Sequence, residues 1–229
     1  EIDGESLVSP NDSLIAPSSV SVDYVLANPP FGGIVSNNNE NNFPQNYRTK
    51  ESADLFLILM IHLLKMGGRA GIVLPDGSLT GDGVKQRIRQ KLLEDCNLHT
   101  IIRLPNSVFQ PYATVATNLL FFTKGEKTKE VWYYEHRLPE GQKAYNKTKP
   151  IQQKEFEPIK EWWNNRVETD ICWKVDIQTI VDRNYDLDIK NPTKQEEVHE
   201  YSSAELMELL HQSFDKSNGL LNQLKEAVK

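Results

Sequence analysis

The run Asn28-Pro29-Pro30-Phe31-Gly32-Gly33 follows directly on a short apolar stretch, VDYVLA, at Val22–Ala27. The Asn28 side chain carries an oxygen that accepts hydrogen bonds. The two prolines hold φ at about −65°, so the Pro29 carbonyl becomes a second fixed acceptor beside it. Paired acceptors suit the exocyclic amine of a nucleobase, which presents two N–H donors. Accepting both holds the nitrogen in place and draws its lone pair out of conjugation with the ring. The amine is then set for in-line attack on an electrophilic methyl group, with orientation and electrostatics supplying the rate rather than a strong base. Phe31 offers a face for stacking, worth on the order of 1–3 kcal/mol per base. Gly32 and Gly33 leave room for a ligand. The same residues also suit a plainer purpose: Pro-Pro stops a strand, and a rigid turn needs no ligand.

The first reading requires Asn28 to stand at the carboxyl end of a buried strand, where open α/β sheets bind ligands. VDYVLA is almost continuously apolar, the pattern of a strand buried on both faces of a parallel sheet. A polar loop follows, GGIVSNNNENNFPQNYRTKE, whose Asn run reads as a mobile surface segment. SADLFLILMIHLLKMGG then predicts a buried helix with Ser52 as N-cap, Asp54 in the first turn, and Gly67 and Gly68 as its stop. RAGIVLP predicts a strand, and GDGVKQRIRQKLLEDC a helix with a cationic face of Lys85, Arg87, Arg89 and Lys91. HTIIRLP and TNLLFFTKG predict two more strands. The alternation is that of a doubly wound α/β fold. The last two strands are joined by a loop without a helix, which permits an antiparallel pair at one sheet edge. The cationic helix face is either solvated or a contact to DNA backbone. His62 reads as a core histidine, Trp162 and Trp163 as packing, and Asp76 as a strand-end residue that could line the pocket.

After Gly125 the pattern changes. EVWYYEHRL predicts a strand, EFEPIKEWWNNR a short aromatic helix, and KVDIQTIVDRNYDLDIKNP a mixed segment. We divide the chain into 1–125, the α/β part; 126–200, an extension packed on it; and 201–229, a terminal helix. That helix opens with a capping box, Ser202 to Glu205. Met207, Leu210, Phe214, Ser217, Leu221, Leu224 and Val228 then recur at alternating spacings of three and four, a heptad-like seam weakened by Gly219. Such a seam closes either over its own domain or over a partner chain.

Composition bounds the rest. The chain has 229 residues and a formal net charge of −6. A lone nucleic-acid grip ordinarily presents a basic face, so a partner is expected to do most of any holding of DNA. No apolar run reaches the roughly 18–20 residues of a membrane span, and no secretion signal is visible; a cytoplasmic protein is expected. Cys96 and Cys172 lack CxxC spacing or a histidine cluster and read as reduced thiols, with no metal site expected.

The motif resembles the (Asn/Asp)-Pro-Pro-(Phe/Tyr) signature of amino-group methyltransferases that use S-adenosylmethionine. The ordered set VDYVLANPPFGG, ADLFLILMIHLLKMGGRAGIVLPDGSL, IIRLPNSVFQPYATVATNLLFFTKG and NYDLDI resembles the modification (M) subunit of type I restriction-modification systems over most of residues 20–190. The resemblance implies a Rossmann-like methyltransferase fold and methylation of adenine N6 in DNA. It implies that Asn28 and the Pro29 carbonyl grip the adenine amine, that Pro30 shapes the turn, and that Phe31 stacks on a base flipped out of the duplex. The Asn-rich loop would lie over the target or DNA. The implied partners are DNA, a specificity (S) subunit met through Ser203–Lys229, and a restriction (R) subunit in the full complex. NPPF also occurs in guanine-N2 RNA methyltransferases and in protein-glutamine methyltransferases, and a non-enzymatic assembly module is a further alternative.

One departure limits these implications. The family holds its cofactor with a glycine-rich loop after the first strand and an acidic residue ending the second. Only Gly4 precedes Asn28, and neither the MGG at Met66–Gly68 nor the GDG at Gly81–Gly83 leads from a strand into a helix as required. The chain is therefore expected to be the carboxyl-terminal part of an M subunit, inactive alone. Its NPPF strand would be an apolar sheet edge, either paired with another copy or distorted.

Overall fold

The computed structural model describes residues 12–15, 20–35, 39–193 and 202–227. The chain divides into two compact units, Glu1–Pro192 and Thr193–Lys229. The larger is built on a six-stranded mixed sheet of order β1-β2-β4-β3-β5-β6. In chain order its elements are β1 (Val22–Ala27), α1 (Ser52–Leu63), β2 (Leu64–Pro75), α2 (Asp76–Leu79), α3 (Val84–Asp95), β3 (Cys96–Leu104), β4 (Thr117–Lys124), β5 (Glu130–Glu135), α4 (Glu157–Asn164), β6 (Cys172–Asp176) and α5 (Ile177–Asp182).

The helix-linked pair β1–β2 is parallel, with Ala27 opposite Ile72. The chain leaves β3 through a loop without a crossover helix, so β4 returns antiparallel. It pairs with β3 on one side and β2 on the other. The expected antiparallel strand thus lies inside the sheet rather than at its edge. Residues after Gly125 continue the same sheet: β5 pairs parallel to β3 and β6 antiparallel to β5.

Helices lie on both faces. Leu55, Ile58 and Ile61 of α1 and Ile88 and Leu92 of α3 share one cluster with Ile72, Leu74, Leu120, Phe122 and Ile101 of the strands. On the other face Ile159 and Trp162 of α4 pack against Ile102, Leu104 and Tyr134. Both tryptophans expected to pack do so, Trp163 meeting Phe121 edge-on at 5.0 Å.

Several local expectations are corrected. β1 is not buried on both faces: it ends the sheet, and Tyr24 and Leu26 are exposed. Helix α1 stops at Leu63 rather than at the glycines, because Leu64 already turns into β conformation and begins β2. The cap position is Glu51, not Ser52. His62 is exposed and lines a cavity with Phe43, Tyr47 and Lys91 rather than lying in the core. The Asn-rich loop is ordered over 39–47 into two 3-10 turns, Asn39–Asn42 and Gln45–Tyr47. Buried Phe43 anchors it, together with Asn42, whose amide donates to the carbonyls of Leu14 and Ile15.

The cationic face of α3 is mostly engaged within the fold. Arg89 is 2% exposed and donates to the carbonyls of Thr80, Gly81 and Tyr185. Arg87 donates to the Asn46 carbonyl, and Lys91 pairs with Asp95. The NYDLDI segment is what receives Arg89. Asn184 and Tyr185 adopt positive φ, Leu187 is fully buried, and Asp188 pairs with Arg103 of β3. This segment fastens the loop before α3 to the far half of the sheet.

The smaller unit is described by helix α6 (Ser203–Ala227). Its capping box is present: the Ser202 N–H donates to Glu205 at 2.7 Å, and the Glu205 N–H donates to the Ser202 hydroxyl at 3.3 Å. Met207, Leu210, Phe214, Leu221 and Leu224 are exposed along it; Val228, the last position of the seam, lies outside the described residues. Among the described residues no helix is long and apolar enough to cross a membrane. Cys96 and Cys172 are free and buried, and burial pushes the Cys96 thiol up to about 12.

Candidate active site at the end of β1

Because β1 and β2 run parallel, their carboxyl ends open on one rim of the sheet, and the Asn-Pro-Pro-Phe turn stands there. The turn alternates in exposure: Asn28 is exposed, Pro29 buried, Pro30 exposed and Phe31 half-buried. Among the described residues the Asn28 amide makes no hydrogen bond, so its oxygen is free to accept one. Below it an apolar trough of about 330 Å³ runs along the uncovered face of β1, β2 and β4, lined by Leu26, Gly71, Val73, Leu119 and Phe121.

Phe31 does not stand alone. Phe109, from the loop between β3 and β4, meets it edge-on, with ring centroids 4.9 Å apart and planes at 77°. Such contacts are worth roughly 0.5–1.5 kcal/mol beyond area burial. Phe109 was missed from sequence because it lies in a loop without periodicity. The signal was its topology: a loop leaving the carboxyl end of a strand reaches the same rim.

The turn is tied to the start of α1. The Ser52 hydroxyl donates to the Pro30 carbonyl at 3.1 Å, and the Ser52 N–H donates to the Gly33 carbonyl at 3.1 Å. Gly32 has φ of +68°, a conformation that favours glycine. At Gly33 a Cβ would lie 2.7 Å from the Ser52 hydroxyl. Next to Ser52, Glu51 accepts from the Lys85 ammonium at 2.6 Å, and Lys85 also donates to the Gly77 carbonyl at 2.7 Å. The same ammonium lies 3.5 Å from the carboxylate of Asp54, which is 2% exposed. Burial raises the Asp54 pKa, while Ser78 and Lys85 oppose the rise. Asp76 is held at the end of β2, accepting from the fully buried Asn118 at 2.7 Å and donating its N–H to the Ala116 carbonyl. Nothing places Asp76 in the trough.

A cofactor pocket does not fit these residues. Among the described residues no strand runs through a glycine loop into a helix with an acidic residue on the next strand. Gly67 and Gly68 lie within β2, and Gly81 and Gly83 follow α2 rather than a strand. The rim presents the exposed Asn28 amide and the Phe31–Phe109 pair above an apolar trough; among the described residues it does not supply a glycine-loop grip on a nucleoside cofactor.

The sequence profile described as N-6 DNA Methylase matches residues 2–201. The chain belongs to the N-6 DNA methylase family. It is 49% identical over 214 residues to the type I restriction enzyme EcoEI methylase subunit of Escherichia coli, covering 90% of this chain and 44% of that one. A solved structure described as a modification subunit of a type I restriction enzyme from Vibrio vulnificus YJ016 superposes with a TM-score of 0.77 at 41% identity, over 84% of this chain and 43% of that one. A chain from a structure concerned with complex assembly and conformational transition of the type I R-M system gives a TM-score of 0.75 at 32% identity, over 95% of this chain and 48% of that one. The fold is therefore that of the methyltransferase-type M subunits, and this member of the N-6 DNA methylase family spans less than half the length of those relatives.

Proposed function

We propose that this chain is the target-base half of a DNA adenine-N6 methyltransferase of the type I restriction-modification kind. The observation that carries the reading is the free Asn28 amide at the rim, beside the buried Pro29 and the Phe31–Phe109 pair. In this reading Asn28 and the Pro29 carbonyl accept the two N–H bonds of a flipped adenine. Phe31 stacks on the base, Pro30 sets the turn, and Phe109 braces the Phe31 ring. The two acceptors set the amine nitrogen for in-line attack, and the proton it sheds would pass to solvent. S-adenosylmethionine, held by a cofactor-binding part of the enzyme, would supply the methyl group as its sulfonium S–C bond breaks and leave as the neutral thioether. The N-6 DNA assignment of the family favours adenine over a guanine-N2 or glutamine substrate.

The edge strand β1, with Tyr24 and Leu26 exposed, is in this reading the seam to the cofactor-binding part. The working enzyme is cytoplasmic and meets DNA, a specificity subunit and a restriction subunit. The test is Asn28→Ala in the assembled methyltransferase: methyl transfer to DNA is lost while S-adenosylmethionine binding is kept. Retained methyl transfer sinks the reading. By calorimetry, this chain alone is expected to show no micromolar binding of S-adenosylmethionine.

A second role is supported by α6, whose exposed Met207, Leu210, Phe214, Leu221 and Leu224 form an apolar seam. In this reading residues 203–229 join the specificity subunit. Deleting them abolishes co-purification with that subunit; an unchanged complex returns the helix to packing within its own chain.

A further inference from the structure

We propose that Ser52 is a positioning residue for the base-gripping turn, an assignment that rests on the target-base reading above. Ser52 opens α1, where a serine hydroxyl ordinarily bonds to its own helix. Here the cap position falls on Glu51, and the hydroxyl of Ser52, 6% exposed, is spent on the Pro30 carbonyl. Prolines fix φ but leave ψ open. The φ of Pro30 is set by its ring, so the direction of the Pro29 carbonyl is locked to the rest of Pro30. What remains to be fixed is how Pro30 hands the chain to Phe31, and the Pro30 carbonyl reports that angle.

Ser52 holds both ends of this step, the Pro30 carbonyl through its hydroxyl and the Gly33 carbonyl through its N–H. Phe31 and Gly32 lie between the two anchors, and the +68° φ of Gly32 lets the chain close the loop. Gly33 completes the arrangement, because a side chain there would displace the hydroxyl. Ser52 is itself immobilised. The Val35 N–H donates to the Lys50 carbonyl at 2.8 Å, Ile34 bridges to Glu51, and Lys85 clamps Glu51 to the Gly77 carbonyl. Ser52 touches no base in this assignment; it acts through Pro30.

The experiment uses the assembled methyltransferase on an oligonucleotide substrate, with 2-aminopurine at the target position reporting base capture. Ser52→Ala is expected to lower kcat on the order of ten- to a hundredfold and to reduce the 2-aminopurine signal. KM for DNA should stay within about twofold, because most of the affinity for DNA comes from contacts to the phosphate backbone rather than from the captured base. Ser52→Thr and Ser52→Val are close in volume and differ in the hydroxyl; Thr keeps activity and Val behaves as Ala. Gly33→Ala alone loses activity and regains part of it when combined with Ser52→Ala, because the clash with the hydroxyl is gone. Wild-type kcat in Ser52→Ala, equal activities for Thr and Val, or additive losses in the double variant overturns the assignment. Asn28→Ala measured alongside separates the two levels: if it stays active the target-base reading fails, and if it is dead while Ser52→Ala is active only the role of Ser52 fails.

Discussion

The two edges of the sheet are built differently. β6 is short: Trp173 and Val175 are buried on one face and Cys172 on the other, while Lys174 and Asp176, on the same face as Cys172, are exposed. Trp173 stacks on Tyr133 at 5.3 Å, Lys174 pairs with Glu130 at 3.1 Å, and the Asp176 side chain caps α5. Charges and a short span are the usual means of closing an edge to further pairing. β1 has the opposite character. Its outward residues include Tyr24 and Leu26, the latter 84% exposed, and the face beside it is an apolar trough. Among the described residues, the Asp23–Lys65 pair and the Arg69 contact to Tyr24 dress it with charge. One edge is closed by its own residues and the other is exposed. The Asn-Pro-Pro-Phe turn sits on the exposed one.

That contrast predicts that substitutions at β6 act on stability and those at the end of β1 on function. The largest effect is expected at Trp173→Ala, which empties a buried aromatic site and should cost about 3–5 kcal/mol in urea unfolding. A loss under 1 kcal/mol would mean that the β6 edge is not the anchored one. Next, Asn28→Ala should lower kcat on the order of 10²–10³-fold, the scale for losing one preorganised hydrogen-bonding group. Its unfolding free energy should stay within about 0.5 kcal/mol, since the exposed amide makes no bond in the fold.

Between the edges, β3 supplies a smaller effect that depends on pH. Burial, with the Arg166 guanidinium nearby, holds His99 down to about 4. Well above pH 7, His99 is uncharged in both states and contributes no pH dependence. Below about 6.5 the unfolded chain takes up a proton that the folded site refuses, so stability falls until the folded pKa is reached. The loss is at most about 3 kcal/mol. His99→Gln should flatten this acid slope in unfolding midpoints measured from pH 7 to 4; burial of His136 acts in the same direction and leaves a residual slope. The smallest effect on stability belongs to Leu26→Lys, expected within about 0.5 kcal/mol of wild type. Light scattering should show it suppressing any self-association of the chain. A loss of 2 kcal/mol there would show that β1 is a packed edge and would erase the contrast.

Much of the order along the chain was legible because hydrophobic period and glycine or proline punctuation are local. Strands β1 to β5, the aromatic helix before β6 and the Ser202–Glu205 capping box lie close to where the residues indicate, while β6 falls in a segment that reads only as mixed. Errors arose where burial is decided by distant neighbours. Arg89 repeats with Lys85 and Lys91 on what reads as a charged face, yet the carbonyls of Thr80, Gly81 and Tyr185 make an interior site for it. VDYVLA reads as buried on both faces because an apolar run carries no mark of what covers it, although its place at a sheet edge was expected. His62 reads as buried because its helix is apolar nearly all round.

By itself the sequence determined the chemistry available at the rim. Asn28, the paired prolines and Phe31 are adjacent in the chain, and the proline rings fix φ at two of these positions, so the groups offered to a ligand are named before any fold forms. Only the tertiary structure decided what stands around them. It brought Phe109 against Phe31 from the β3–β4 loop, turned the Ser52 hydroxyl from its helix to the Pro30 carbonyl, and set β4 between β2 and β3. These are contacts between residues far apart in the chain, chosen by the packing of the whole sheet, and no local pattern encodes them.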